Sequence, residues 1–195
     1  MHTLVKLGAA ALIAAFATMA AAQDETQPKT EEFPTGSEPE VQIGQTYQAE
    51  QFDDWEIVCV KVESGNEPCE IGQLVLDSSG NPIADVRVFP LPPNSKAIAG
   101  ATIITPLGVL IQNGLLFSID DAKPKQYPYL FCNNIGCVSR IGFVPLELQA
   151  LRKGNVAKMT VRMFNNPDQA IDIAVSLKGF STAYTALTKR LLEQK

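Results

Sequence analysis

In residues 157–163 the apolar side chains Ala157, Met159, Val161 and Met163 alternate with Lys158, Thr160 and Arg162, and no helix can present such a pattern on one face. A half-buried antiparallel strand can. Asn165-Asn166-Pro167-Asp168 reads as a turn, after which Ile171, Ile173, Val175 and Leu177 resume the alternation with Asp172 and Ser176 outward, so the pair predicts a hairpin. Similar short runs recur at 55–62, 72–76, 83–89, 97–104, 109–111, 115–119, 129–131 and 138–143. Punctuation such as Ser79-Gly80-Asn81-Pro82 and Gln112-Asn113-Gly114 separates them. Roughly ten strands at this spacing predict an all-β, two-sheet β-sandwich.

Two segments depart from period two. Pro145 opens a short helical turn through Leu146, Leu148 and Leu151 that stops at Gly154. At the C-terminus Phe180, Tyr184, Leu187 and Leu191 line one face of a short α-helix, with Ser181 expected as its N-cap and Lys189 and Arg190 near its C-terminal end.

Upstream, a basic start ending at Lys6 and an apolar run from Leu7 to Ala22 closing on Ala20-Ala21-Ala22 predict a signal peptide over 1–22, cleaved before Gln23. The run falls short of the about 20 apolar residues of a membrane-spanning helix, and no basic stop-transfer flank follows it, so no transmembrane segment is expected. Residues 23–54 hold nine carboxylates against the single base Lys29, net −8, whereas the chain from Trp55 onward is net +2. With Pro28, Pro34 and Pro39 and few apolar side chains, residues 23–50 read as an acidic, proline-containing disordered linker, and 51–195 as one domain. Nothing in this charge balance points to nucleic acid.

The only histidine, His2, precedes the cleavage point. The exported chain therefore has no imidazole for a Ser-His-Asp or Cys-His site or for the common zinc and copper sites, and no metal, cofactor or catalytic residue is assigned. An enzyme would have to use carboxylates, for which Asp85, Asp120, Asp121 and Glu147 are the candidates, acting on envelope polymers; Asp120 and Asp121 read better as turn-capping residues. Met159 and Met163, which could imitate thioether copper ligands, read as core, and Trp55 reads as a core anchor.

Four cysteines in an exported chain imply two disulfides, with three pairings possible. Cys59 with Cys69 and Cys132 with Cys137 each flank a turn-like loop, so the local pairs are expected. Neither spacing is the Cys-x-x-Cys of a redox pair.

The ordered set Trp55-Glu56-Ile57-Val58-Cys59, Cys69-Glu70-Ile71-Gly72-Gln73, Pro106-Leu107-Gly108-Val109 with Gly114 and Ile119-Asp120, Tyr129, Cys132 to Gly136-Cys137, Leu151-Arg152-Lys153-Gly154 and Ser176-Leu177-Lys178-Gly179-Phe180 with Ala183-Tyr184 and Leu187 resembles the invasion-associated locus B family. Members are exported proteins of alphaproteobacteria. The resemblance spans the domain after residue 50 and implies an immunoglobulin-like β-sandwich and an envelope location: periplasmic, outer-membrane-associated or secreted. For some pathogenic members it implies a part in entry into host red cells, and it brings no enzymatic site. Together these readings predict a non-enzymatic exported module that binds an envelope or host-surface protein or polymer through loops or a sheet edge. N-terminal sequencing of exported protein should read Gln23 first; material retaining Met1 would overturn the cleavage reading.

Overall fold

The alternation at 157–163 does form a strand, β10 (Val156–Met163), and it pairs antiparallel with β11 (Asn166–Ser176). The computed structural model describes residues 35–36 and 40–194, so the expected signal peptide and about half of the expected linker lie outside the described residues. The other strands are β1 (Thr46–Phe52), β2 (Trp55–Val60), β3 (Cys69–Leu76), β4 (Pro82–Pro90), β5 (Ala99–Thr105), β6 (Leu115–Ile119), β7 (Lys125–Tyr127), β8 (Tyr129–Asn133) and β9 (Gly136–Phe143). Two helices join them, α1 (Pro145–Lys153) and α2 (Phe180–Glu193).

One sheet runs β1-β2-β3-β4-β5-β9-β8 and the other β11-β10-β6-β7, every pair antiparallel. The layering is that of an immunoglobulin-like two-sheet sandwich with its own strand order. Inward Ile57, Ile71, Val86, Val88, Ile103 and Ile141 of the larger sheet and Phe117, Met159, Val161, Ile173 and Val175 of the smaller belong to a single buried cluster. Packing is tight. The void between Val88, Ile103, Phe117, Val175 and Phe180 is about 10 Å³, at the lower limit for a single water, and its lining is apolar and aromatic.

Trp55 is the expected anchor. Its ring is 1% exposed, meets Phe180 edge to face at 5.0 Å, and donates from Nε1 to the Ser176 carbonyl at 2.8 Å. Beside it, buried Gln73 donates from Nε2 to the carbonyls of Asp54 and Ser176 and accepts the Ser176 N–H on Oε1, each at 3.0 Å. The amide thus stands in for a neighbouring strand at the edge of β11 and ties the two sheets together.

Helix α2 buries Phe180, Ala183, Tyr184 and Leu187 and packs on β1, β2, β3 and α1. Ser181 is not its cap: the cap lies two residues earlier, at Gly179, whose φ of +87° turns the chain so that the Phe180 ring enters the core beside Trp55. A Cβ at Gly179 would lie 2.0 Å from the Phe52 carbonyl oxygen, so glycine is required for conformation and for space. Arg152 of α1 fastens the two helices by donating to Thr185 Oγ1 at 2.5 Å and lying over the Tyr184 ring.

Three further expectations change. The boundary at residue 50 falls inside β1, where Tyr47, Ala49 and Phe52 pack on the core; polar Thr46, Gln48, Glu50 and Gln51 mask that alternation, and a bulge after Gln48 breaks its period. Val109–Ile111 is no strand. Val109 makes one bridge to Met163, and Ile111–Asn113 forms a single 3-10 turn before Gly114. The tight turn of the last hairpin falls at 164–165, and Pro167 to Gln169 are a bulge whose Pro167 and Asp168 carbonyls both accept from Arg162 Nη1 at 2.9 Å. Short β7 and the β1 strand carry little apolar pattern and were invisible to periodicity.

Gln73→Leu should leave the Ser176 edge groups without their amide partner in a buried setting and cost about 2 kcal/mol. A denaturant midpoint unchanged from wild type would show that the clamp adds nothing.

Candidate binding surface

Each cysteine pair lies directly opposite across neighbouring strands, Cys59 and Cys69 on β2 and β3, Cys132 and Cys137 on β8 and β9, and both local disulfides are formed. The first is buried at the edge covered by α2. In the second, Cys137 is buried but Cys132 is exposed, at an end of the sandwich whose turns carry no charged side chain. Segments 105–114, 128–139 and 163–167 contain no Asp, Glu, Lys or Arg.

Three turns build that end. Gly108 takes φ +85° and its carbonyl accepts the Phe164 N–H at 2.7 Å, while the Leu110 N–H donates to the Arg162 carbonyl at 2.7 Å, so the 106–110 loop is stitched to the β10–β11 turn. The β8–β9 turn lies so close to the end of β5 that a Cβ at Gly136 would meet the Thr105 carbonyl oxygen at 2.4 Å. The Thr105 hydroxyl in turn donates to the Cys137 carbonyl at 3.3 Å and accepts from the Tyr129 hydroxyl at 3.1 Å, which fixes the stapled hairpin in place. On this frame Leu107, Ile111, Ile135 and Phe164 stand 51%, 52%, 65% and 75% exposed. A shallow cavity of about 400 Å³ runs among Leu107, Ile111, Phe164 and the Cys132–Cys137 bridge. Another of about 340 Å³ is bounded by Leu74, Ile104, Pro106 and Ile135, and Asp85 also lines it. Clustered apolar exposure of this kind marks interaction sites more often than isolated surface leucines do.

A larger cavity, about 690 Å³, is a groove on the outer face of the larger sheet, between Val58, Glu70, Asp85, Arg87, Phe89 and Leu191. Its polar groups are turned on one another. Arg87 donates to both Asp85 oxygens, at 2.6 and 3.1 Å, and lies 3.8 Å from Glu56. Burial raises the Glu70 carboxyl above the usual carboxylate range, with Arg87 opposing the shift.

Three of the four candidate acids are held in separate structural roles. Asp85 is the Arg87 partner. Glu147 accepts from Lys125 and, on Oε2, from the Val144 N–H at 3.0 Å at the start of α1, and lines a different, smaller cavity beside Tyr127 and Phe117. Asp120, at φ +46°, accepts the Asn155 and Val156 N–H groups at 3.0 and 3.1 Å, the turn-capping role expected of it; Asp121 is exposed in the same turn. Neither the groove nor the Glu147 cavity is lined by a second member of the four. Met159 is fully buried and Met163 packs against the core, as read from sequence. Among the described residues no group of three or more His, Cys, Asp or Glu could hold a metal ion, and no helix is long and apolar enough to cross a membrane. The exposed quartet went unread in the sequence; its one signal was the clustering of charge-free turns, which strand periodicity passes over.

These features define a disulfide-stapled two-sheet sandwich, closed by helices along one side and apolar at one end. Residues 55–188 match the family model described as invasion associated locus B (IalB) protein, and the chain belongs to that family. Invasion protein B homologs of Brucella abortus, from strain 2308 and from biovar 1 strain 9-941, are each 24% identical over 151 residues, covering 72% of this chain and 80% of the relative. The crystal structure of invasion associated protein b from Bartonella henselae superposes with a TM-score of 0.66 at 21% identity, over 75% of this chain and 98% of that one, and shares its fold.

Reduction of both disulfides should lower stability by roughly 2 to 3 kcal/mol for each loop released. Calorimetry with and without reductant measures this; an unchanged melting temperature after complete reduction would remove the stapling role.

Proposed function

We propose that this protein is a non-enzymatic exported module of the cell envelope that binds a protein or surface polymer through the uncharged apolar end. The observation that carries the reading is the exposed set Leu107, Ile111, Ile135 and Phe164 on three mutually braced turns. Rigid loops on a sandwich scaffold are a common place for recognition, and a charge-free patch meets a partner without the cost of desolvating ions. The separate structural engagement of Asp85, Asp120 and Glu147 supports binding over carboxylate catalysis. Two disulfides suit an oxidising compartment, and with the expected signal peptide they support a periplasmic, outer-membrane-associated or secreted location. Kinship with proteins named for invasion makes an envelope or host-surface molecule the partner of choice.

The variant carrying Ile135→Ser and Phe164→Ser should keep wild-type stability within about 0.5 kcal/mol, as surface substitutions do. Its envelope attachment, measured by fractionating intact cells after crosslinking, should fall. Wild-type attachment in that variant would overturn the reading.

A further inference from the structure

The edges of the sheets are not equally open. β1 is interrupted by its bulge, β7 spans three residues, and β8 spans five with a register shift between Tyr129 and Phe131. These are ordinary ways of blunting an edge. β11 is different. Beyond its bulge at Pro167 to Gln169, from Ala170 to Ser176, it pairs regularly with β10, and among the described residues no strand lies on its other side.

Which backbone groups face that open side follows from the register. The Leu177 N–H donates to the Asn155 carbonyl at 2.9 Å, and antiparallel ladders alternate, so Val175, Ile173 and Ile171 also point their backbone groups at β10. On the far side of β10 the Asp120 N–H donates to the Val156 carbonyl at 2.8 Å, which gives the same phase. Ser176, Ala174, Asp172 and Ala170 therefore turn theirs outward. At Ser176 the fold itself supplies a partner, the Gln73 amide with the Trp55 indole. At Ala170 and Ala174, both exposed, it supplies small side chains, and no other described residue covers them.

We infer that the Ala170–Ala174 edge of β11 is a strand-addition site for an extended peptide segment with a Lys or Arg opposite Asp172. Asp172 projects from the outer face between two alanines, bonded at 2.5 Å to Thr160 and 3.5 Å from Lys158, with its side chain 55% exposed. A base on the incoming strand would approach from the side that Lys158 leaves open. A second copy added antiparallel about Asp172 would set two aspartates directly opposite, which is unfavourable. On the inner face Ile171, 40% exposed, gives a contact for an apolar residue next to that base. The occupant is thus an alternating apolar and polar segment with one basic position, held mainly by main-chain hydrogen bonds. This inference rests on the reading of a binding module and adds a docking mode distinct from the apolar end.

The probe is a short labelled peptide alternating valine with threonine around one central lysine, titrated into the exported protein. Saturable binding is expected, with slowed amide exchange at Ala170, Asp172 and Ala174, and a several-fold loss when the lysine becomes glutamate. Ala174→Pro removes an edge-facing N–H without touching the β10 ladder, so it should abolish binding at an unchanged melting temperature. A peptide N-methylated at the amides that would face β11 tests the same bonds with the protein unaltered, and should not bind. Absence of binding to the folded protein, or binding that survives N-methylation, overturns the site. If the peptide fails while the Ile135→Ser and Phe164→Ser variant still loses envelope attachment, the edge site is overturned and the module reading stands. If the peptide binds in this manner while that variant stays attached, the edge site stands and the apolar-end reading falls.

Discussion

Ser176 is where the two sheets of this protein are tied together. A sandwich held only by apolar contact is free to slide, because hydrophobic burial has little directional preference. The Gln73 carboxamide removes that freedom: it reaches from β3, binds both backbone groups of Ser176, and also holds the carbonyl of Asp54 at the turn before β2. Trp55 adds a third bond to the same serine and carries its ring into the core. Once β11 is set at this point, the positions of Ile173 and Val175 against the larger sheet follow from the two-residue period of the strand. The clamp also closes one end of an otherwise open edge, so the same contact that fixes the packing limits where another strand could pair.

Reinforcement is unevenly distributed. One side is sealed by α1 and α2, where Phe180 and Tyr184 stack behind Trp55 and Arg152 spans the helices. Gly179 permits that closure, since any side chain there would strike the Phe52 carbonyl. The apolar end carries no α-helix among the described residues and is braced by hydrogen bonds between turns and by the Cys132–Cys137 bridge. A surface that keeps Phe164 and Ile135 in water needs such bracing, because collapse of the loops onto themselves would bury the same apolar area. Rigidity of the turns is thus the condition for an exposed apolar surface.

Much of the fold was legible from local pattern. Alternation located β10, β11 and most of the larger sheet, because a strand with one buried face must show period two. Helical spacing located both helices, and cysteine spacing marked the two bridges that formed. Pattern failed at β1 and β7, where polar residues fill the strand and pairing is set by neighbours, and at Val109–Ile111, where apolar residues serve a turn. The partition of strands between sheets, the Ser181 that does not cap, the separation of Asp85, Asp120 and Glu147, and the gathering of Leu107, Ile111, Ile135 and Phe164 at one end came only with the tertiary structure. Sequence by itself determined which residues must be buried and how each segment repeats, since those depend on the chain's own period and chemistry. Which segments meet was decided by contacts between residues far apart in the chain, such as Gln73 with Ser176, and no local pattern encodes them.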